Sequence, residues 1–368
     1  MRPIKLKVNT KSQNYNIIIG TDLVSRILNL AKNNSLNFKQ CLLIIDKNIS
    51  KKIISKIKKS LIKKKVYVYF FKASEKNKNQ NNVNKILDIL LKKNFSRDDC
   101  LISIGGGITG DVSGFAASLF KRGLKFINVP TTLLSQVDSS IGGKTGVNTK
   151  YGKNLIGNFY QPNLVISDIQ FLKTLPKREI ICGYGEILKH SIIKNRNAFN
   201  YLKNNYSKIL NLKSPFIEKA ISESCKIKKN IVEKDEKEKN LRKILNLGHT
   251  FAHAYEAKLL YSKKLNHGEA VILGIISSAK FSFVNGILKK KDYEEIVQHI
   301  TNLKIPLNLN NYFKKKDINS IIKYMKLDKK NNSSNINLIL IKKIGQIILN
   351  SVFNESKIRK YFNKKLIN

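Results

Sequence analysis

A chain of 368 residues has room for about two domains at ~150 residues each, and 42% hydrophobic residues suffice for a substantial core. Its longest apolar stretches, such as LLII and VILGII, fall far short of the ~20 residues a bilayer span needs, so no membrane role is expected. The net charge of +44 invites a nucleic-acid reading, but the lysines are spread over every surface segment among asparagines and isoleucines, without arginine clusters or interleaved aromatics. We read the charge as compositional drift toward residues with A- and T-rich codons and expect no nucleic-acid partner. The field can still draw in an anionic substrate.

MRPIKLKVNT lacks an apolar h-region, so no secretory leader is expected. Cys41, Cys100, Cys182 and Cys225 form no C-x-x-C pair and sit in or near apolar segments. Buried, reduced thiols follow, and with them a cytoplasmic location.

YNIIIG, CLLIID, VYVYFF, CLISIG, KFINVP and NLVISD are short, β-branched or aromatic, and bounded by turn residues, which predicts buried strands. Amphipathic stretches, NISKKIISKIKKSLIKK and NVNKILDILLKKN, separate the second from the third and the third from the fourth. Strand, helix, strand in succession predicts a mostly parallel sheet with helices on its faces, over residues 1–176. Beyond Leu175-Pro176 the segments from KREIICGYGEILKH to DYEEIVQHITNL carry helical periodicity, which predicts a mostly helical domain over 177–368. INLILIKKIGQIIL alone looks like a hairpin, turning at Ile344-Gly345. Open α/β sheets bind ligands at the carboxyl ends of their strands, so the active site is expected in a cleft between the halves.

CLISIGGGITGD places Gly105, Gly106, Gly107 and Gly110 directly after a strand, with Asp111 expected to open the following helix. Such a turn lets backbone approach a pyrophosphate, or is simply a tight connection. Next, Asp138, Lys144, Lys153 and Asn154 lie in a glycine-dense segment. Isolated lysines framed by small residues suit a phosphate or carboxylate pocket, or stand solvated on a surface loop.

Three of the five histidines, His249, His253 and His267, fall in LNLGHTFAHAYEAKLLYSKKLNHGEAV, and His190 lies near Glu186 in GYGEILKH. One histidine alone is more often a hydrogen-bonded core residue than a ligand. Three in so short a span, with a carboxylate, point to a divalent metal. HTFAH is not the H-E-x-x-H of zinc proteases, since position 250 is Thr. His299, in EEIVQHITN, is expected on a helix surface.

GGGITGD, RGLKFINVPTTLLSQVDSSIGGKTGVN, GKNLIGNFYQP, LKTLP, RKILNLGHTFAHAYEA, HGEAV and DKK, in this order from about residue 100 to about 330, resemble the 3-dehydroquinate synthase family. The resemblance implies conversion of DAHP, a seven-carbon keto sugar-acid phosphate, to 3-dehydroquinate in the shikimate pathway. NAD is then used catalytically, for transient oxidation, phosphate elimination, re-reduction, ring opening and aldol closure. A divalent metal, zinc or cobalt, accompanies it. A sister cyclase or a metal-dependent polyol dehydrogenase of the same architecture is the alternative.

The resemblance makes Glu186, His249 and His267 the metal ligands. Lys144, Lys189, Arg242 and His253 become catalytic, and Asp138, Asn154, Lys228, Asn246 and Lys329 (or Lys330) contact substrate. Arg122 matches a residue that reaches a neighbouring subunit's site, which implies a homodimer. NAD contacts carry over to Gly107, Ile108, Thr109, Gly110, Asp111, Thr131, Thr132, Lys144, Lys153, Phe171, Leu172, Lys173 and Thr174, with Asp46 on a ribose hydroxyl. Two stretches depart from the family. In KASEKNKN, Ser74 replaces a glycine, so only Glu75 and Lys78 fit the pattern. In GYGE, Tyr184 and Gly185 replace smaller or aliphatic residues and Ala.

Overall fold

The structure, a computed structural model, describes residues 2–305, 308–327 and 335–363. Its strands are β1 (Ile4–Asn9), β2 (Asn14–Gly20), β3 (Gln40–Asp46), β4 (Lys65–Phe71), β5 (Cys100–Gly105), β6 (Lys125–Pro130), β7 (Lys144–Thr149), β8 (Gly152–Phe159), β9 (Leu164–Asp168), β10 (Ile336–Lys343) and β11 (Gln346–Phe353). Helices α1 (Ile27–Lys32), α2 (Lys51–Ser60), α3 (Gln80–Lys92) and α4 (Gly107–Leu119) alternate with the early strands. Helices α5 (Lys177–Lys194), α6 (Arg196–Leu210), α7 (Phe216–Lys234), α8 (His249–Lys258), α9 (His267–Val284), α10 (Lys290–Asn302), α11 (Ile318–Leu327) and α12 (Glu355–Tyr361) make up most of the rest.

Seven strands form one sheet in the order β1-β2-β9-β6-β5-β3-β4. Every pairing is parallel except β1 with β2. The six predicted strands are all in it; β1, whose IKLKVN alternates with lysine, is an addition. Both faces of its central strands are covered, so β3, β5, β6 and β9 are buried almost end to end. Along β3, Leu43 and Ile45 pack with Ile27, Ile53 and Ile57 of α1 and α2. Leu42 and Ile44 pack with Val83, Ile86, Val112 and Phe115 of α3 and α4.

Residues Met1–Ile180 and Ile217–Lys237 form one compact unit; Ile181–Phe216 and Glu238–Asn368 form the other. A boundary at 176/177 treats the two as continuous stretches. Instead the division falls inside α5, and α7 belongs to the sheet unit. Its Cys225 Sγ hydrogen-bonds the Gln136 carbonyl (3.4 Å), and Gln161 Nε2 donates to Glu236 just beyond its end (2.9 Å).

Among the described residues the second unit is helical with one hairpin, β10–β11, turning at Ile344 and Gly345 as expected. At Gly345 φ is +93°, and a Cβ there would stand 2.8 Å from the Asn195 Cα, so only glycine fits. No helix among the described residues is long and apolar enough to cross a membrane. All four cysteines are buried thiols, and none is in a disulfide.

Candidate functional site

In the sheet unit, chain order reverses between β3 and β5, and such a switch point leaves a crevice at the strand carboxyl ends. Asp46, Gly105 and Pro130 end adjacent strands there. Asp46 is buried and accepts from the Asn48 amide (3.0 Å). Helix α4 starts at Gly107, not at Asp111, because Gly106 caps it in extended conformation. Asp111 therefore sits in the second turn. The amides of Gly107, Ile108 and Thr109 open the helix without intrahelical acceptors, a donor set that fits a pyrophosphate. Packing also demands these glycines. A Cβ on Gly105 would strike Thr109 (2.5 Å) and one on Gly107 would strike Ser139 Oγ (2.9 Å). Thr131 donates its amide to the Gly105 carbonyl (2.9 Å), and Thr132 Oγ1 bonds Ser135 Oγ (2.9 Å).

The glycine-dense segment is an antiparallel hairpin, β7–β8, rather than a loop. Gly146 faces Gly157, and a Cβ on either would fall within 2.5 Å of a partner-strand carbonyl oxygen. Lys144 opens β7, exposed. The Ser74–Lys78 segment, loosely matched in sequence, docks on this hairpin. Buried Lys78 gives its ammonium to Asp111 Oδ2 (2.5 Å) and Asn154 Oδ1 (2.6 Å). Glu75 meets Lys153 (3.1 Å) and the Asn148 amide group (2.8 Å). Burial pushes Glu75 up, but Asn148 and the Lys153 ammonium outweigh it and hold its carboxyl below the usual range. For Asp111 burial wins over Lys78 and raises the carboxyl.

Asp138 lies in a π-helical turn, Ser135–Ser139. Lys228 of α7, buried, donates to its carboxylate (2.5 Å) and carbonyl (2.7 Å). Phe171 and Leu172 fall in a 3-10 turn, Ile169–Thr174, with side chains in the core, so only their backbone is available to a cofactor. Lys173 and Thr174 of the same turn are exposed. Arg122 is exposed at the far end of α4, ~20 Å along the helix from Gly107, with φ +62°.

In the helical unit, Glu186, His249 and His267 converge: one ligand atom from each lies within 4.8 Å of the others. His249 Nε2 is 3.8 Å and His267 Nε2 4.0 Å from Glu186 Oε1. Glu186 is fully buried, and its Oε1 accepts no hydrogen bond among the described residues. Lys189, also buried, sets its ammonium against Oε2. A buried carboxylate oxygen left facing two imidazole nitrogens fits a divalent cation.

Glycines make this convergence possible. Gly248, at φ +78°, starts α8 against Gly274 of α9, where a Cβ would be 2.9 Å from backbone. Gly185 lets α5 lie under the start of α9, since a Cβ there would approach the Gly268 carbonyl to 2.8 Å. Asn266 caps α9 in a capping box with Glu269, which fixes His267 as the first helical residue.

His253 is exposed, its ring 5.2 Å from His249 and 6.4 Å from His267. His190 is buried 3.9 Å from Glu186 Oε2. Arg242 and Asn246 share the 3-10 turn Leu241–Asn246, where Arg242 is buried. Asp328, Lys329 and Lys330 lie outside the described residues. Glu238 carries no signal within the charged run EKDEKEKN, yet it accepts from Asn246 Nδ2 (2.7 Å) and adds a carboxylate to this group.

His299 is not on the surface. It is buried among Tyr184, Phe199 and Tyr206, with Nε2 2.9 Å from the Tyr184 hydroxyl. The unusual Tyr184 thus fills the core beneath α5. Burial, then Lys203, push His299 down to about 4.

The sequence matches the family models "3-dehydroquinate synthase N-terminal" over residues 68–182 and "3-dehydroquinate synthase C-terminal" over residues 183–331. It is 61% identical over 363 residues to 3-dehydroquinate synthase of Pelagibacter ubique, covering 99% of each chain. A crystal structure of 2-deoxy-scyllo-inosose synthase with carbaglucose-6-phosphate, NAD+ and Co2+ superposes with TM-score 0.88 at 24% identity, covering 99% of this chain and 100% of that one. That of 2-epi-5-epi-valiolone synthase from Streptomyces hygroscopicus, with NAD+ and Zn2+, gives 0.85 at 22% identity, covering 96% and 97%. At such identities the two structures share the fold.

Proposed function

The chain belongs to the 3-dehydroquinate synthase family, and on that premise we propose that it is a phosphate-eliminating lyase that closes DAHP to 3-dehydroquinate. The observation that carries the reading is the convergence of Glu186, His249 and His267 around one buried, unpaired carboxylate oxygen. NAD would supply a transient hydride acceptor, and a divalent metal such as zinc or cobalt a Lewis acid for the substrate hydroxyls.

Glu186, His249 and His267 hold the metal, and three protein ligands leave positions open for substrate. The α4 amino end, with Thr131 and Thr132, receives the pyrophosphate, and Asp46 a ribose hydroxyl. Glu75, Lys78 and Lys153 line the remainder of the dinucleotide site, together with the backbone of Phe171 and Leu172 and with Lys173 and Thr174. Lys144, Lys189 and Lys228 offset the charge of the departing phosphate. Arg242 presents a planar fork suited to the substrate carboxylate. Asp138, Asn154 and Asn246 orient hydroxyls. His253, exposed beside the two ligand imidazoles, hydrogen-bonds substrate or relays a proton.

The working unit is a homodimer in the cytoplasm, with no nucleic-acid or membrane partner. Arg122 is exposed and remote from the α4 amino end of its own chain, as a residue serving a partner's site would be. Exposed Leu155, Ile156 and Phe159 on β8 offer apolar surface to a second copy. Purified protein given DAHP, NAD and zinc should release phosphate without accumulating NADH. Absence of phosphate release, or steady NADH production from a simple polyol, would overturn the reading in favour of a dehydrogenase.

A further inference from the structure

His249 and His267 are oriented by different acceptors. His249 Nδ1 faces the Leu247 carbonyl at 3.2 Å, a backbone group fixed by the turn before α8. His267 Nδ1 faces Glu256 Oε2 at 3.3 Å. Glu256 sits on α8 two helical turns after His249, hence on the same face. It is only 8% exposed. Its neighbour Tyr255 is fully buried and anchors that part of α8 by a hydroxyl contact to Ser277 of α9 (2.8 Å).

We propose that Glu256 is a positioning residue for the metal centre: its carboxylate accepts the Nδ1 proton of His267, fixes the tautomer and turns Nε2 toward Glu186. A charged acceptor behind the imidazole strengthens it as a donor, which a backbone carbonyl does more weakly. His267 needs this support more than His249. Its side chain is 34% exposed against 11%, so less packing holds its ring. One short helix thereby supplies a ligand, His249, and the anchor of another.

The inference rests on His267 being a ligand, and the experiment separates the two. Affinity for Co2+ is measured by chelator competition, with the visible cobalt spectrum, on the full chain and on Glu256→Ala, Glu256→Gln and His267→Ala. Glu256→Ala should weaken binding about 10- to 100-fold and shift the spectrum. Glu256→Gln should weaken it less, because its amide oxygen still accepts. Should Glu256→Ala fail to fold, Glu256→Gln decides alone. Unchanged affinity and spectrum in the folded Glu256 variant, with metal lost in His267→Ala, would overturn the role of Glu256 alone. Full metal retention in His267→Ala would overturn the ligand assignment and this inference with it.

Discussion

The Gly268 amide donates to Cys182 Sγ at 3.1 Å, and a Cβ on Gly268 would stand 2.1 Å from the Cys182 carbonyl oxygen. This backbone-to-backbone approach seats the first turn of α9 on α5, next to the turn that carries Glu186. A methyl group there cannot be absorbed by a side-chain rotation, because the obstacle is main chain. Gly268→Ala should therefore cost about 3 kcal/mol, at the upper end of ordinary overpacking, and move His267 away from Glu186. Urea unfolding and metal content check it. Wild-type stability together with full metal loading would contradict the packing account.

Removing an imidazole from the triad should empty it. His249→Ala is expected to purify without metal and without turnover while keeping its helical circular dichroism. Metal analysis finding one equivalent per chain would reject His249 as a ligand.

Lys78 satisfies Asp111 and Asn154 at once, and its replacement leaves the Asp111 carboxylate with no cation at 2.5 Å. Because that carboxylate retains some exposure (20%), the expected stability loss for Lys78→Met is about 1–3 kcal/mol rather than the full cost of breaking a buried pair. NAD binding should weaken at least about tenfold, a change worth about 1.4 kcal/mol. Calorimetric titration showing unchanged NAD affinity would remove Lys78 from the dinucleotide site.

Lys144 stands exposed at the start of β7, so its loss should leave the fold intact. Lys144→Ala is expected to cut turnover about 100-fold or more, as when one group that offsets developing charge is removed. Near wild-type phosphate release from DAHP would show that it has no part in the reaction.

His299 gives the protein an acid-side instability. Its folded value is about 4 against 6.5 for the free group, through burial and then Lys203. Below pH 6.5 the unfolded chain takes up a proton that the folded chain refuses. Stability therefore falls as pH drops from 6.5 toward 4, by an amount on the order of 3 kcal/mol, and this contribution levels off below 4. His299→Gln should lose less stability over that window than wild type. Parallel losses in urea unfolding at pH 7 and pH 4.5 would refute this assignment.

The strands were legible because β3, β5, β6 and β9 are buried almost end to end, while β2 and β4 carry the uninterrupted runs III and VYVYFF. β1 was missed because its lysines alternate with apolar residues at the sheet edge. The β7–β8 hairpin hid behind glycines that look like loop and are in fact required by Gly146 facing Gly157. His299 looked like a surface residue because Asp, Glu and Gln surround it in sequence, while Tyr184, Phe199 and Tyr206 cover it in space. Glu238 and Glu256 carried no local signal at all. Each is distinguished only by the residue across from it, Asn246 and His267.

Side-chain chemistry and local periodicity, written in the chain itself, determined the elements, the family motifs and the identity of the metal-ligand candidates. Tertiary structure alone decided that α7 joins the sheet unit, that Lys78 pairs with Asp111, and that Glu186 faces His249 and His267. The reason is range. Helical and strand patterns depend on residues a turn or a pleat apart. The spacing of Glu186 from two imidazoles on other helices depends on how closely backbones approach at Gly185, Gly248 and Gly268, which no local pattern encodes.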